Sequence, residues 1–218
     1  MAHDHASLIQ LARVVAPVSV LGPGLRVGIW VQGCRLACEG CSSTDTWNPA
    51  AGQAVPLAAL AEQVLSLLGG VAPDGVTITG GEPTDQGAVL TELVTALRRE
   101  RPDVDVCLFT GRTEPAAMAV APGLVALADC LVAGPYRPER PRVNALVATD
   151  NQTISYRDAA VRDRYEAWLA QGDAPRLQVA TDDRDVFLFG MPMAGDLQRF
   201  REALGRRGIE LGEVSWQS

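Results

Sequence analysis

The chain has no lysine: all nineteen of its basic residues are arginine. Walker-type phosphate loops and pyridoxal Schiff bases each need a lysine, so both chemistries are excluded. Histidine is almost as scarce. The two present, His3 and His5, sit in the polar start of the chain. Termini are usually poorly ordered, so a Ser–His or Cys–His nucleophile pair has little to draw on. Positive charge does not dominate either. The formal charge is −7 and the pI about 4.9, which speaks against a grip on a nucleic-acid backbone. No apolar run reaches the length of a membrane span, and the leading MAHDHAS is polar and acidic rather than the basic start of a signal peptide. A cytoplasmic protein with neither membrane nor nucleic acid as partner is the expectation. Aromatic residues make up only 5%, so Ala, Val and Leu must supply most of the core.

Against these gaps, 218 residues with 47% hydrophobic content suffice for one domain with a small appendage. Residues 25–31 (LRVGIWV), 75–79 (GVTIT), 104–109 (VDVCLF) and 128–132 (ADCLV) read as short, almost wholly apolar strands. Helical spacing marks 56–68 and 86–100, and a smaller stretch at 114–119. Strand, loop and helix repeating in this way predict a parallel sheet covered by helices. Four such units fit before residue 140. A complete eightfold barrel wants about 250 residues, so the expected class is α/β, a partial or open (β/α) barrel. The chain then divides into a core over 1–155 and an extension over 156–218 packed on it. In the extension, 176–180 and 185–189 read as strands and 196–206 as a helix, with 155–172 as a polar surface helix or linker. Residues 187–192 read as a strand and turn in the core.

Five cysteines are present, three of them within eight residues. Cys34, Cys38 and Cys41 follow the spacing C-x3-C-x2-C, which points to metal or redox chemistry rather than structural disulfides. Thiolates are soft ligands suited to iron–sulfur clusters or zinc. Three on one tight loop can bind three irons of a cubane and leave the fourth open to an outside ligand. Gly33 and Gly40 let the backbone bend around such a group. A zinc site normally needs a fourth ligand, and redox thiols are a third reading. Cys107 and Cys130 lie inside apolar strands and read as core residues.

A second motif follows one strand later. Thr79 runs into Gly80-Gly81-Glu82-Pro83, placing a carboxylate at the carboxyl end of a parallel strand, where ligands bind in such folds. Paired glycines permit close approach of a ligand, and Glu82 can accept hydrogen bonds from an ammonium group. The plainer alternative is a strand-to-helix turn capped by Thr84 or Asp85.

Together, Cys34-x3-Cys38-x2-Cys41 and Gly80-Gly81-Glu82-Pro83 resemble the radical S-adenosylmethionine superfamily. Gln32-Gly33-Cys34, Gly40 before the third cysteine, and Thr46-Trp47 just after are similar to the activating enzymes of anaerobic ribonucleotide reductase. Weaker matches are Thr110-Gly111, the segment around Gly134-Pro135-Tyr136, and Asn151-Gln152. The resemblance spans about residues 13 to 155. It implies a 4Fe-4S cluster on Cys34, Cys38 and Cys41, the catalytic set, with S-adenosylmethionine chelating the open iron. It further implies cofactor contacts at Gly40, Gly80, Gly81, Glu82, Pro83 and Thr110, with Glu82 on the amino group. Reductive cleavage to a 5′-deoxyadenosyl radical, fed by a flavodoxin or ferredoxin-type reductant, is the implied activity. The radical's target is a glycine in a large partner protein; the alternatives are a peptide or small metabolite, or a non-catalytic zinc or cluster module. Ala133 stands where such proteins often carry Asp.

Other residues read more plainly. Trp47 is expected to pack, Arg112 to be solvated, and Asp129 to cap a turn. Arg137, Arg140 and Arg142 form an exposed, charge-balanced loop.

Overall fold

The computed structural model describes residues 7–70, 74–141, 143–171, 177–181, 185–192, 195–212 and 214. His3, His5, Arg142 and Arg176 lie outside them. The strands are β1 (Leu8–Val18), β2 (Arg26–Val31), β3 (Gln53–Pro56), β4 (Gly75–Gly80), β5 (Asp105–Thr110), β6 (Cys130–Ala133), β7 (Thr153–Tyr156), β8 (Leu177–Thr181) and β9 (Val186–Gly190). The helices are α1 (Leu57–Gly70), α2 (Gly87–Glu100), α3 (Glu114–Val120), α4 (Pro122–Leu127), α5 (Ala159–Leu169) and α6 (Asp196–Gly205).

Seven strands form one sheet in the order β3-β1-β2-β4-β5-β6-β7, and β8 pairs with β9 apart from it. β2, β4, β5 and β6 run parallel, while β1, β3 and β7 join antiparallel at the two sides. The fold is therefore mixed α/β around a mostly parallel sheet. The four parallel strands predicted from their apolar runs are all present. β1 escapes that reading because its polar residues Gln10 and Arg13 interrupt the pattern, and its burial is irregular.

Two layers cover the sheet. On one face Val27, Ile29, Val76, Ile78, Val106 and Leu108 pack against the apolar stripes of α1, α2 and α4. These stripes recur at three- and four-residue steps, such as Leu90, Leu93, Val94 and Leu97 on α2. Alternation along each strand sends Arg26, Thr77, Asp105, Cys107 and Cys130 to the opposite face. There α5 brings Val161, Tyr165 and Trp168 onto Cys107, Cys130 and Val132. Within the segment read as a polar surface helix or linker, the described residues include the end of β7 and the helix α5, which faces the core rather than solvent because Val161, Tyr165 and Trp168 at helical spacing outweigh its charge. From the second sheet, Phe189 packs on Trp30 with ring centroids 4.5 Å apart.

Beneath α5 lies a buried ionic knot. Arg26, with no exposed surface, donates to Thr77 Oγ1 at 2.6 Å and pairs with Asp105 at 2.7 Å. Tyr165 donates its hydroxyl to the same carboxylate at 2.6 Å, and Arg164 adds a further ion pair. Such a set is tolerable in the interior because every charge is both paired and hydrogen-bonded.

Candidate active site

The four parallel strands end on one rim, at Val31, Gly80, Thr110 and Ala133. Each is followed by one of the motif segments. The cysteine loop leaves β2 through Gln32 and Gly33, and Gly33 takes φ +100°, a conformation L side chains rarely adopt. Gln32 Nε2 donates to the carbonyls of Asp45 and Asn48 at 2.9 and 2.8 Å. Gly33 and Cys34 donate their N–H groups to the carbonyls of Thr46 and Trp47. Gln-Gly-Cys and Thr-Trp are thus two halves of one clasp that closes the loop at its base. Within it, Gly40 also has positive φ, at +69°.

All three loop thiols are half-buried. Burial pushes the Cys34 thiol up, partly offset by N–H donors from Leu36 and Ala37. Burial likewise raises Cys41, opposed by the Ser43 N–H and the Trp47 side chain, which both bond its sulfur. Trp47 therefore touches the Cys41 sulfur as well as packing. Donors aimed at sulfur favour the thiolate that metal ligation requires.

Facing the loop is the turn after β4. Glu82 is wholly buried. Its Oε1 accepts from the Thr84 N–H at 3.0 Å and from the hydroxyls of Thr84 and Thr110 at 2.7 Å each. Its Oε2 accepts from the Gly111 N–H at 2.9 Å, and the Arg112 guanidinium stands 3.5 Å from Oε1. Oε1 is saturated, whereas Oε2 keeps a lone pair. The cap of this turn is Glu82 itself rather than Thr84 or Asp85. Pro83 starts the one-turn 3₁₀ helix Pro83–Gln86, buried and away from the cavity.

The paired glycines have a structural task that the sequence did not disclose. Gly81 donates to the Val31 carbonyl and Glu82 to the Gly33 carbonyl, both at 2.8 Å. A Cβ on Gly81 would press into the Gly33 carbonyl, and one on Gly80 would come within 2.6 Å of the Val31 carbonyl oxygen. The glycines weld the carboxylate turn to the start of the cysteine loop, and both also line the cavity.

That cavity has a volume of about 640 Å³. Its walls carry Cys34, Cys38 and Cys41 on one side and Gly80, Glu82 and Thr110 on another. Tyr136, whose phenol is raised by burial and then by Cys41, stands beside the loop. Of the residues singled out from sequence, the three cysteines, Gly40, Gly80, Gly81, Glu82 and Thr110 all meet here; Pro83 does not. Thr110 bonds Glu82. Arg112 is not solvated, since it donates to Thr84 Oγ1 and Asp85 at 2.7 Å each. The sequence allows Arg112 a carboxylate partner but favours solvation, because the acceptors come from another strand's turn. Ala133 belongs to the helix-side core, not to the cavity. Asp129 does more than cap: buried, it accepts from the Val106 N–H and pairs with Arg98 and Arg157. Arg140 pairs with Asp150 at 2.5 Å.

Does the donor set suit a cluster? Three soft thiolates from one loop supply three corners of a cubane and leave one iron for an outside ligand. Among the described residues, no three Cys, His, Asp or Glu side chains converge on one point as a single ion requires. A four-iron cluster presents a separate iron to each thiolate, so its ligands need not converge. The residues fit the cluster.

A loop of three thiols facing a buried carboxylate across the rim of a parallel sheet suits an iron–sulfur protein. The chain belongs to the 4Fe-4S single cluster domain family, matched over residues 20–155, and with it to the radical S-adenosylmethionine superfamily. Its cofactors are a 4Fe-4S cluster and S-adenosylmethionine. It is similar to the anaerobic ribonucleoside-triphosphate reductase-activating protein of Enterobacteria phage T4, at 30% identity over 62% of this chain and 86% of that one. The Escherichia coli K12 protein of the same name is 30% identical over 55% of this chain and 80% of its own. A pyruvate formate-lyase-activating enzyme of Clostridium pasteurianum shares 37% identity, over 34% of this chain and 32% of its own.

Proposed function

We propose that Cys34, Cys38 and Cys41 hold the cluster and that this chain activates a glycyl-radical enzyme in the cytoplasm. The observation that carries this is the single cavity in which the three thiols face Glu82 across the rim. In this reading the sheet, ended on each side by antiparallel strands, is the working half of an open (β/α) barrel. When bound, the cluster supplies the electron that splits the sulfonium carbon–sulfur bond, giving methionine and a 5′-deoxyadenosyl radical. The chain's own part is to bind, orient and exclude water. Glu82, held rigid by Thr84, Thr110 and Gly111, offers the free lone pair of Oε2 to the ammonium of the methionine moiety. Arg112 balances the carboxylate's charge from outside the cavity. Gly40 gives the cysteine loop its bend, and Tyr136 covers its flank. The electron comes from a flavodoxin or ferredoxin-type donor. The hydrogen is taken from a glycine of a partner protein, as the relatives' names suggest.

A second reading, modification of a peptide or small metabolite, is favoured by one feature. Met191, Pro192 and Leu197 from the region beyond residue 155 form part of the cavity wall.

The test is anaerobic reconstitution with iron and sulfide, followed by dithionite and S-adenosylmethionine, with 5′-deoxyadenosine measured by chromatography. Formation of 5′-deoxyadenosine that disappears in Cys38→Ala is the expected result. Zinc bound in place of a cluster, with no product, would sink the proposal. A glycyl radical appearing in a co-purified anaerobic reductase separates the two readings of the target.

A further inference from the structure

The turn over 148–152 is built tightly against the rim, yet it leaves one buried hydroxyl unused. Gln152 Oε1 accepts from the Ala148 and Thr149 N–H groups at 3.0 and 3.2 Å, and its Nε2 donates to the Gly134 carbonyl at 3.0 Å. Asn151 Nδ2 donates to the Pro135 carbonyl at 2.8 Å. The Thr149 carbonyl accepts from the Gln152 N–H. The backbone of Thr149 is thus fully engaged and its position fixed. Its side chain is not: at 2% exposure, Thr149 Oγ1 has no hydrogen-bond partner, although the residue lines the same cavity as the cysteines and Glu82. Leaving a buried hydroxyl unmatched costs the folded protein its desolvation. Two other polar residues of the cavity wall, Glu82 and Thr110, bond each other through Thr110 Oγ1 and Glu82 Oε1.

We propose that Thr149 binds the nucleoside end of S-adenosylmethionine through this hydroxyl. The inference rests on the reading of the cavity given above. Thr149 is held against Gly134, just beyond β6, whereas the Gly80–Glu82 turn follows β4, two strands away. Neighbouring strands lie about 4.8 Å apart, so the two positions are separated by about 10 Å along the rim. A ligand with a charged amino-acid end and a nucleoside end joined through a sulfonium is long enough to bridge them. With its ammonium at Glu82, its nucleoside falls along β5 and β6 toward Thr149. The chemistry matches as well. Ribose hydroxyls and adenine nitrogens both donate and accept, and a threonine hydroxyl can do either. The methionine end, by contrast, offers nothing at this distance.

The experiment compares wild type, Thr149→Val and Thr149→Ser in the cluster-loaded, anaerobic protein by titration calorimetry, using S-adenosylmethionine and free methionine as separate probes. Thr149→Val is expected to weaken S-adenosylmethionine about three- to tenfold while leaving methionine unchanged. Thr149→Ser restores the affinity. The ligand-free Thr149→Val protein keeps or raises its Tm, because a methyl group replaces an unmatched hydroxyl. Unchanged S-adenosylmethionine affinity in Thr149→Val overturns the proposal, and a partner polypeptide is then the ligand to test. Equal losses for both probes, or a lower ligand-free Tm, also overturn it, since they mark a structural role. If Thr149→Val does not fold, Thr149→Ala is measured in its place. A wild-type protein that binds neither probe defeats the underlying reading instead.

Discussion

Gly81 and Glu82 are adjacent and owe their identities to opposite demands. Glu82 is set by its partners, four donors drawn from two segments of the chain, Thr84 in its own turn and Thr110-Gly111 after β5. Gly81 is set by the absence of room, because the Gly33 backbone fills the space a side chain would take. Gly81→Ala is therefore expected to destabilise the protein by about 1–3 kcal/mol and to loosen the cysteine loop. Gly69 provides the contrast. It lies in α1, and a Cβ there would meet nothing within 4 Å. Gly69→Ala is expected to stabilise by about 0.5–1 kcal/mol through helix propensity alone. Urea denaturation of the two variants checks both signs. Thr110 and Arg112 belong to the same scale, because Thr110 bonds Glu82 and Arg112 reaches it directly and through Thr84. Thr110 was legible as a rim residue, but its bond to the carboxylate was not.

Among elements, α5 was the most altered by tertiary context. Its sequence, rich in Arg and Asp, reads as solvated, yet Val161, Tyr165 and Trp168 fall on one face and meet Cys107 and Cys130. The helix is started by Asp158, whose carboxylate accepts from the Val161 N–H at 2.9 Å. That bond, together with Arg157, holds the carboxyl below its ordinary value of 3.8. A group lowered in the folded state stabilises fully above its unfolded value, and its contribution is lost as pH falls through the lower folded one. Asp158→Ala is accordingly expected to lower the Tm at pH 7, with the gap closing below pH 3.8. Thermal scans across the acid range decide this. A Tm difference that stays constant down to pH 2 would show that the cap is not the source. The cysteine loop is the opposite case, an element legible from its ends. Gln32, Gly33, Thr46 and Trp47 could be read as a signature, and the structure shows why they travel together: they are the clasp at its base.

For the molecule as a whole, the region beyond residue 155 is what closes the second face of the sheet. Removing it bares Cys107, Cys130 and Val132 and strips Asp105 of the Tyr165 hydroxyl and the Arg164 ion pair. A chain ending at residue 156 is expected to aggregate or to lose cooperative unfolding, even though it retains Cys34, Cys38 and Cys41. Tyr165→Phe isolates one part of that effect, with an expected loss of about 1.5–3 kcal/mol for one hydrogen bond to a buried carboxylate that Arg26 still pairs. Sedimentation and denaturant curves on the two proteins test this. Preserved solubility and a sharp transition in the truncated chain would show that the first 156 residues fold alone. No helix among the described residues is long and apolar enough to cross a membrane.

The sequence by itself determined the chemistry and the layer that carries it. Cysteine spacing depends on nearby residues, and short apolar strands separated by helical periods admit few arrangements other than a parallel sheet. Which residues share the cavity was legible for the same reason, since each motif follows a parallel strand and all such strands end on one rim. Only the tertiary structure decided the pairings across that rim. Glu82 finding Thr110 and Arg112, Gly81 pressing on Gly33, and Tyr165 reaching Asp105 all join residues 28 to 60 positions apart or from separate loops. A hydrogen bond between distant residues leaves no periodicity in either segment. The unmatched hydroxyl of Thr149 is the extreme instance, for it becomes visible only when every neighbouring donor and acceptor has been assigned.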